Sequence, residues 1–366
     1  MTKAKKIRIF RDGFILLFTI VFACVLIRTM VKPMLDSQQP FVLKQGALEE
    51  DTSNYLLKPS EVPVYDGLEL NQYIEGQYTV LALGMDEEGL NTDVMMLVVF
   101  DLAGGKMNIL QIPRDSYVGY EYTNNATGKI NSVYSEGTAG GTGINKVVSC
   151  VRDMFGIPID SYIAIKCTDV APVVDKMGGI PINVPEDIIY EADKIIYAGQ
   201  QTLTGEQSEW FVRFRHDYLE GDIGRVKAQR YFLAAAMQKV KDLGTLKILK
   251  IYPTLSEYLM SDLEIGEIGK LSDFAQTIDM SNVTVRMVPG ESLEPGVINE
   301  YYGWSIHKQE TVDVLNEYFR PYQAEMSADE LDIVEVKNTT SYYDDDVSNF
   351  QQIVDGETPS VPRNED

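Results

Sequence analysis

Three apolar runs close together constrain this chain most: TVLALGM, VMMLVVF and MNILQIP, lying between Thr79 and Pro113. Each is short and rich in β-formers, the pattern of strands buried on both faces. DLAGGK, from Asp101 to Lys106, is a turn, so the second and third runs form a hairpin. GINKVVSCVRDMFG has helical spacing and ends at Gly156. DSYIAIK then reads as a strand, TDVAPVVDKMGG as a helix with Thr168 or Asp169 as its N-cap, and IPINVP as another strand. Helices alternating with strands imply an α/β fold, a three-layer α-β-α sandwich around a central mixed sheet. Further along, WFVRFRHD has strand alternation, and a long amphipathic helix follows from Arg225. Lys247 to Met280 reads as more helix, NVTVRMVPG as a late strand, and Ser305 to Phe319 as a closing helix.

Ahead of this core, Lys3, Lys5, Lys6, Arg8 and Arg11 precede an apolar run from Gly13 to Val31. That length is close to the ~20 residues a bilayer-spanning helix needs. Arg28, near its far end, can snorkel to the interface. The basic flank keeps residues 1–12 in the cytoplasm, so everything after the span at 13–31 is expected outside, on a single-pass plasma-membrane protein. VKPMLDSQQP offers no cleavage site for a signal peptide. Residues 32–75 are polar with scattered Pro and Glu, and read as an extracytoplasmic stalk. From 326 to 366 the chain is acidic and polar, with Asp344 to Asp346 in a row, and reads as a disordered tail.

A net charge of -23 excludes nucleic acid as a main partner, because phosphate backbones select basic faces. Any anion site must be a local cationic island. No Cys or His spacing suggests zinc, and His216 and His307, the only histidines, read as structural residues. Cys24 sits in the apolar span; Cys150 and Cys167 can either pair or be buried as apolar groups.

Three segments place chemically capable residues at element ends. In LALGMDEEGLNTDVMML, Asp86 follows one strand and Asp93 precedes the next, at a sheet edge where α/β proteins bind ligands. Position alone favours two turn-forming aspartates; two carboxylates with few other ligands also suit Mg²⁺ shared with a pyrophosphate. In NILQIPRDSY, Arg114 and Asp115 emerge from a strand end, and Lys129 follows in GKINSVY, where a solvated loop is the plain alternative. In WFVRFRHD, strand geometry puts Arg213 and Arg215 on one face, where they repel unless an anion lies between them. Asp222 reads as the cap of the next helix, Arg225 falls in its first turn, and Gln229 lies one turn on. Arg213, Arg215, Arg225 and Gln229 can thus converge on one phosphate, with Glu206, Glu209 and Asp217 as the alternative partners.

These segments resemble the LytR-CpsA-Psr family of cell-wall glycopolymer ligases. The likeness rests on LGMD, NTDVMML, IPRDSY, GKINSVY, GIPIDSYIAI, VDKMGGIPINVP, LTGEQSEWFVRFRHD and GDIGRVKAQR, in that order. The resemblance implies a catalytic domain over 76–325 with an apolar tunnel for a polyprenyl chain. It implies transfer of a glycopolymer from polyprenyl pyrophosphate to a peptidoglycan hydroxyl by Mg²⁺-assisted phosphotransferase chemistry at the outer membrane face. Asp86 and Asp93 would hold the metal, and Arg114, Arg213, Arg215, Arg225, Gln229 and Lys129 the pyrophosphate. Arg114 would stabilise charge, with Asp86 or Asp217 as the base. Two positions depart from the family pattern: Asn91 and Ala228 stand where arginines are usual, and Arg230 or Lys129 are the neighbours that could compensate. A weakly active lipid-glycan scaffold and a polyprenyl-pyrophosphate pyrophosphatase are the alternatives.

Overall fold

A computed structural model describes residues 76–138, 143–214, 222–322, 324–336 and 348–355, with Ile74. The basic segment, the apolar span at 13–31 and almost all of the stalk lie outside the described residues, as do Arg215, His216, Asp217 and the Asp344–Asp346 triplet. No described helix is long and apolar enough to cross a membrane.

In chain order the elements begin with β1 (Gln77–Met85), β2 (Thr92–Asp101), β3 (Lys106–Ile112), α1 (Val133–Thr138) and α2 (Gly143–Phe155). Next come β4 (Ser161–Lys166), α3 (Cys167–Met177), β5 (Ile180–Val184), β6 (Ile188–Glu191), β7 (Lys194–Ile196) and β8 (Gly199–Leu203). Then α4 (Gly205–Arg213), α5 (Asp222–Leu243), α6 (Thr245–Leu255), β9 (Leu259–Ser261), α7 (Ile265–Thr277) and β10 (Val283–Met287) follow. β11 (Gly290–Leu293), β12 (Gly303–Ile306), α8 (Lys308–Tyr318), β13 (Ser348–Asn349) and α9 (Phe350–Asp355) complete them.

Seven strands form one sheet in the order β13-β10-β3-β2-β1-β4-β9. The apolar runs pair as the hairpin expectation requires, with Asp101 opposite Lys106 across the β2–β3 turn. β1, β3, β4 and β10 share one direction, and β2, β9 and β13 oppose them, so the sheet is mixed. Strand alternation sorts β2 cleanly. Met95, Leu97 and Val99 join Val147, Val151 and Phe155 of α2 and Leu315 of α8 in one core. Met96, Val98 and Phe100 face Phe274 of α7 and Leu233 of α5 on the other side. Helices therefore cover both sheet faces, the arrangement expected from the sequence. A third core gathers β5, β8, α3, α4 and part of α5.

Several local expectations change. IPINVP is a strand, but it pairs with β8 in a separate two-stranded sheet. The described part of WFVRFRHD is no strand: Trp210 to Arg213 end α4, whose start is fixed by a capping box between Thr204 and Gln207. Gly205, Ser208 and Phe211 then fall on one buried helical face, and burial of Phe211 and of the cap residue Phe214 in the third core overrides the short-range alternation. α3 starts directly off β4 with Lys166 as cap residue, so neither Thr168 nor Asp169 caps it; Asp169 lies in its first turn, where a carboxylate suits the macrodipole. The Lys247–Met280 stretch is broken by β9, which adds an edge strand beside β4. Cys150 is buried in the α2 core and Cys167 half-buried; both are free thiols.

The segment expected to be a disordered tail is partly built into the domain. Met326, Leu331 and Ile333 belong to the α2 core. β13 pairs with β10, and Phe350, 0% exposed, packs with Met107, Phe274 and Val285. Acidic composition concealed these few apolar residues, which suffice because they cover existing core rather than building a new one. Phe350→Ala should cost about 3–5 kcal/mol in denaturant unfolding, the usual range for a buried Phe truncation. An unchanged midpoint would show that this end of the chain adds nothing to the core.

Candidate functional site

The parallel strands β1, β3 and β4 end on the same side of the sheet, and the opposed β2 begins there. Asp86 leaves β1, Arg114 follows β3, and α3 starts off β4, so all reach one edge. Asp93 arrives by a further device. Gly84 pairs with Val94 and Met85 with Thr92, so Asp93 is the extra residue of a β-bulge. The close approach needs Gly84, where a Cβ would lie 3.0 Å from Cβ of Val94.

A cavity of about 660 Å³ opens at this edge. Its interior is apolar, with Ala82, Val94, Met96, Ile163 and Ile165 from the sheet, Phe232 and Leu233 from α5, and Val170 from α3. These sheet residues belong to the half-buried face of β1, β2 and β4; the expectation of strands fully buried on both faces fails there because the cavity occupies that space. Asp86, Glu87, Asp93, Arg114, Arg213, Arg225 and Gln229 also line it. Arg225, Gln229, Phe232 and Leu233 recur at helical spacing, so one stripe of α5 supplies polar and apolar wall together.

The charges are interlocked. Arg114 Nη1 donates to Asp93 Oδ1 at 2.7 Å, and Arg225 Nη2 reaches the Asp93 carbonyl at 3.5 Å. Arg213 pairs with Glu209 at 2.7 Å and with Glu87 at 3.6 Å. Arg225 is only 5% exposed, unusual for a guanidinium unless it serves a partner or ligand. Gln229 donates to the Val212 carbonyl at 3.0 Å, tying α5 to α4 beside the cavity. Partial burial pushes the Asp86 carboxyl up, but donation from the Asn91 amide and from the N–H groups of Leu90, Asn91 and Gly89 outweighs it. The net result lies below the usual carboxylate range.

Of the residues singled out in the sequence, the fold brings Asp86, Asp93, Arg114, Arg213, Arg225 and Gln229 to one cavity. Lys129 is not among its lining residues: its ammonium meets Asp115 at 2.9 Å. Arg215 and Asp217 lie outside the described residues, as does the Asp222 side chain. Asn91 turns onto Asp86, its Nδ2 2.7 Å from Oδ2, and is a support for that carboxylate rather than part of the wall. Ala228 packs into the third core. Arg230 is buried against Gln111, at 2.6 Å. Gln111 itself was missed. It lines the cavity and donates to the Val226 carbonyl at 3.1 Å, joining β3 to α5. A glutamine inside the apolar run NILQIP was the available signal.

Asn91→Ala should raise the Asp86 titration midpoint, because the largest hydrogen bond favouring the ionised form is lost. The sign for stability follows. In the parent, Asp86 contributes stability above its unfolded pKa that is lost as pH falls through the depressed folded value; the variant should show a smaller acid-side loss. Carboxyl NMR of Asp86 checks this, and an unmoved midpoint would remove Asn91 from the site.

The LytR_cpsA_psr family model matches residues 43–320. Over 240 residues the chain is 28% identical to the polyisoprenyl-teichoic acid--peptidoglycan teichoic acid transferase TagV of Bacillus subtilis (strain 168), covering 62% of this chain and 60% of that protein. It is 27% identical over 251 residues to the cell wall biosynthesis protein LcpA of Corynebacterium glutamicum, covering 61% of this chain and 48% of that one. The chain thus spans between about half and three fifths of these curated relatives. The crystal structure of B. subtilis TagV superposes with a TM-score of 0.56 at 26% identity, covering 65% of this chain and 94% of that one. The sheet, its flanking helices and the match over 43–320 place the chain in the LytR_cpsA_psr family.

Proposed function

We propose that this chain transfers a glycopolymer from a polyprenyl-pyrophosphate carrier to a peptidoglycan hydroxyl at the outer face of the plasma membrane. One observation carries the reading. A single cavity joins an apolar interior to three arginines and two aspartates, in a chain whose net charge is -23. An apolar chain ending in a pyrophosphate matches both halves at once. The likeness to TagV, a polyisoprenyl-teichoic acid--peptidoglycan teichoic acid transferase, agrees with it.

In this reading Arg114, Arg213 and Arg225 hold the phosphate oxygens, Arg114 and Arg213 exchanging carboxylate partners for the substrate anion. The acceptor hydroxyl attacks the phosphorus that bears the glycan, the P–O–P bridge breaks, and the polyprenyl phosphate leaves with the bond electrons. Positioning and charge stabilisation supply most of the catalysis in such a transfer. Asp86 and Asp93 both line the cavity, and hydrogen bonds hold the Asp86 carboxyl below the usual range, which fits Mg²⁺. When bound, Mg²⁺ would neutralise charge on the pyrophosphate. The lowered Asp86 carboxyl is a poor proton acceptor at neutral pH, so Asp86 fits a ligand better than a base. The acceptor proton then falls to another group, with Asp217 the remaining candidate from the sequence.

The test is transfer by the purified full-length chain, given a polyprenyl-pyrophosphate-linked glycan, peptidoglycan and Mg²⁺. Transfer should occur, fall at least about a hundredfold in Arg225→Ala, the loss typical of one stabilising donor, and stop without Mg²⁺. Release of phosphate or glycan to water with no transfer would favour a pyrophosphatase, and tight binding without turnover a scaffold.

The topology has its own test. A reporter fused after Leu57 should be active only outside the cell, because the basic flank before Gly13 holds the N-terminus inside. Cytoplasmic activity would remove the outer-face reading.

A further inference from the structure

We infer that His307, Glu310 and Glu335 form a binding site for one divalent transition metal of the Zn²⁺ class, separate from the cavity. One ligand atom from each of the three lies within 4.8 Å of the others. None of them lines the cavity.

The site is assembled from distant parts of the chain. His307 stands between β12 and α8, Glu310 lies in the first turn of α8, and Glu335 comes from the segment after 324. His307 is 3% exposed, so its ring is a core residue placed among acids. Its Nε2 meets Oε1 of Glu291 at 3.1 Å, and Glu291 is 5% exposed. A carboxylate on one ring nitrogen is the usual second partner of a metal-bound histidine, since it fixes the tautomer and orients the other nitrogen. Nδ1 is then the coordinating atom.

Glu310 needs a partner. Oε2 of Glu310 is buried and makes no hydrogen bond to any described residue. A buried carboxylate oxygen in that state calls for an ion or an equivalent partner. Lys308, the adjacent ammonium, donates to the Leu331 carbonyl at 3.0 Å, while its backbone N–H donates to Oε1 of Glu335 at 3.0 Å. Glu335 is thereby steered to the same place.

An imidazole with two carboxylates selects the ion. Zn²⁺ accepts nitrogen and carboxylate oxygen at about 2.0–2.2 Å and completes a tetrahedron with water. Ca²⁺ wants six or more oxygens, and Mg²⁺ rarely takes imidazole. A bound ion would clip the 324–336 segment to the start of α8.

The experiment uses the purified full-length chain, stripped with EDTA, then titrated with Zn²⁺ against a chromophoric chelator and followed by thermal unfolding. One Zn²⁺ should bind per chain and raise Tm by about 5 °C or more at saturation, while the same concentration of Mg²⁺ should not. Glu310→Gln and His307→Gln should each weaken binding at least tenfold and erase the shift, and Glu291→Gln should weaken it by about 10–100-fold. Glu310 is only half-buried, so its variant tests the site even if His307→Gln does not fold. Equal Zn²⁺ affinity in the parent and Glu310→Gln would place the ion elsewhere on this acidic chain and overturn the site. Lack of Zn²⁺ binding by the parent would also overturn the site. Neither readout depends on transfer activity.

Discussion

The pairing of β1 with β2, interrupted by one extra residue at Asp93, is the constraint on which the rest of the site depends. An antiparallel ladder alone would send alternate side chains to opposite faces and leave the two aspartates in unrelated places. The bulge re-aims one residue without losing the pairing on either side. Asp93 then meets Arg114 from β3 through its carboxylate and Arg225 from α5 through its carbonyl. A single irregularity in the ladder thereby joins the sheet to the helix that forms the opposite cavity wall.

The electrostatics follow from where these elements end. Each arginine at the cavity is held by an acid or carbonyl of the same neighbourhood, so the cations are positioned before any substrate arrives. Preorganised donors of this kind lose little on binding, whereas free side chains must be ordered first. Arg213 and Arg225 play different parts. Arg213, at the end of α4, is half-exposed and shared between two glutamates, while Arg225 is buried in the first turn of α5 and reaches the Asp93 carbonyl.

Much of this was legible in the chain. Apolar runs of strand length separated by a turn sequence fix the β2–β3 hairpin, and Asp86, Asp93 and Arg114 must then sit at strand ends, because they flank those runs directly. The misreadings share one cause. WFVRFRHD alternates like a strand, yet the Thr204–Gln207 capping box and the third core commit Trp210 to Arg213 to helix. The acidic tail looked too polar to fold, yet Phe350 and Leu331 need only an existing core to cover. Local pattern competes with tertiary burial in such segments, and burial wins because it removes more apolar surface from water.

By itself the sequence determined the mixed sheet, the helices packed on it and the identity of most charged cavity residues, since periodicity and turn chemistry act over a few residues. Only the tertiary structure decided which polar groups meet. Asn91 props Asp86, Lys129 goes to Asp115 instead of the cavity, and His307 gathers acids from two other segments, one of them 28 residues along the chain. Those meetings depend on distances between elements remote in sequence, and side-chain electrostatics at a few ångströms has no signature in a one-dimensional spacing.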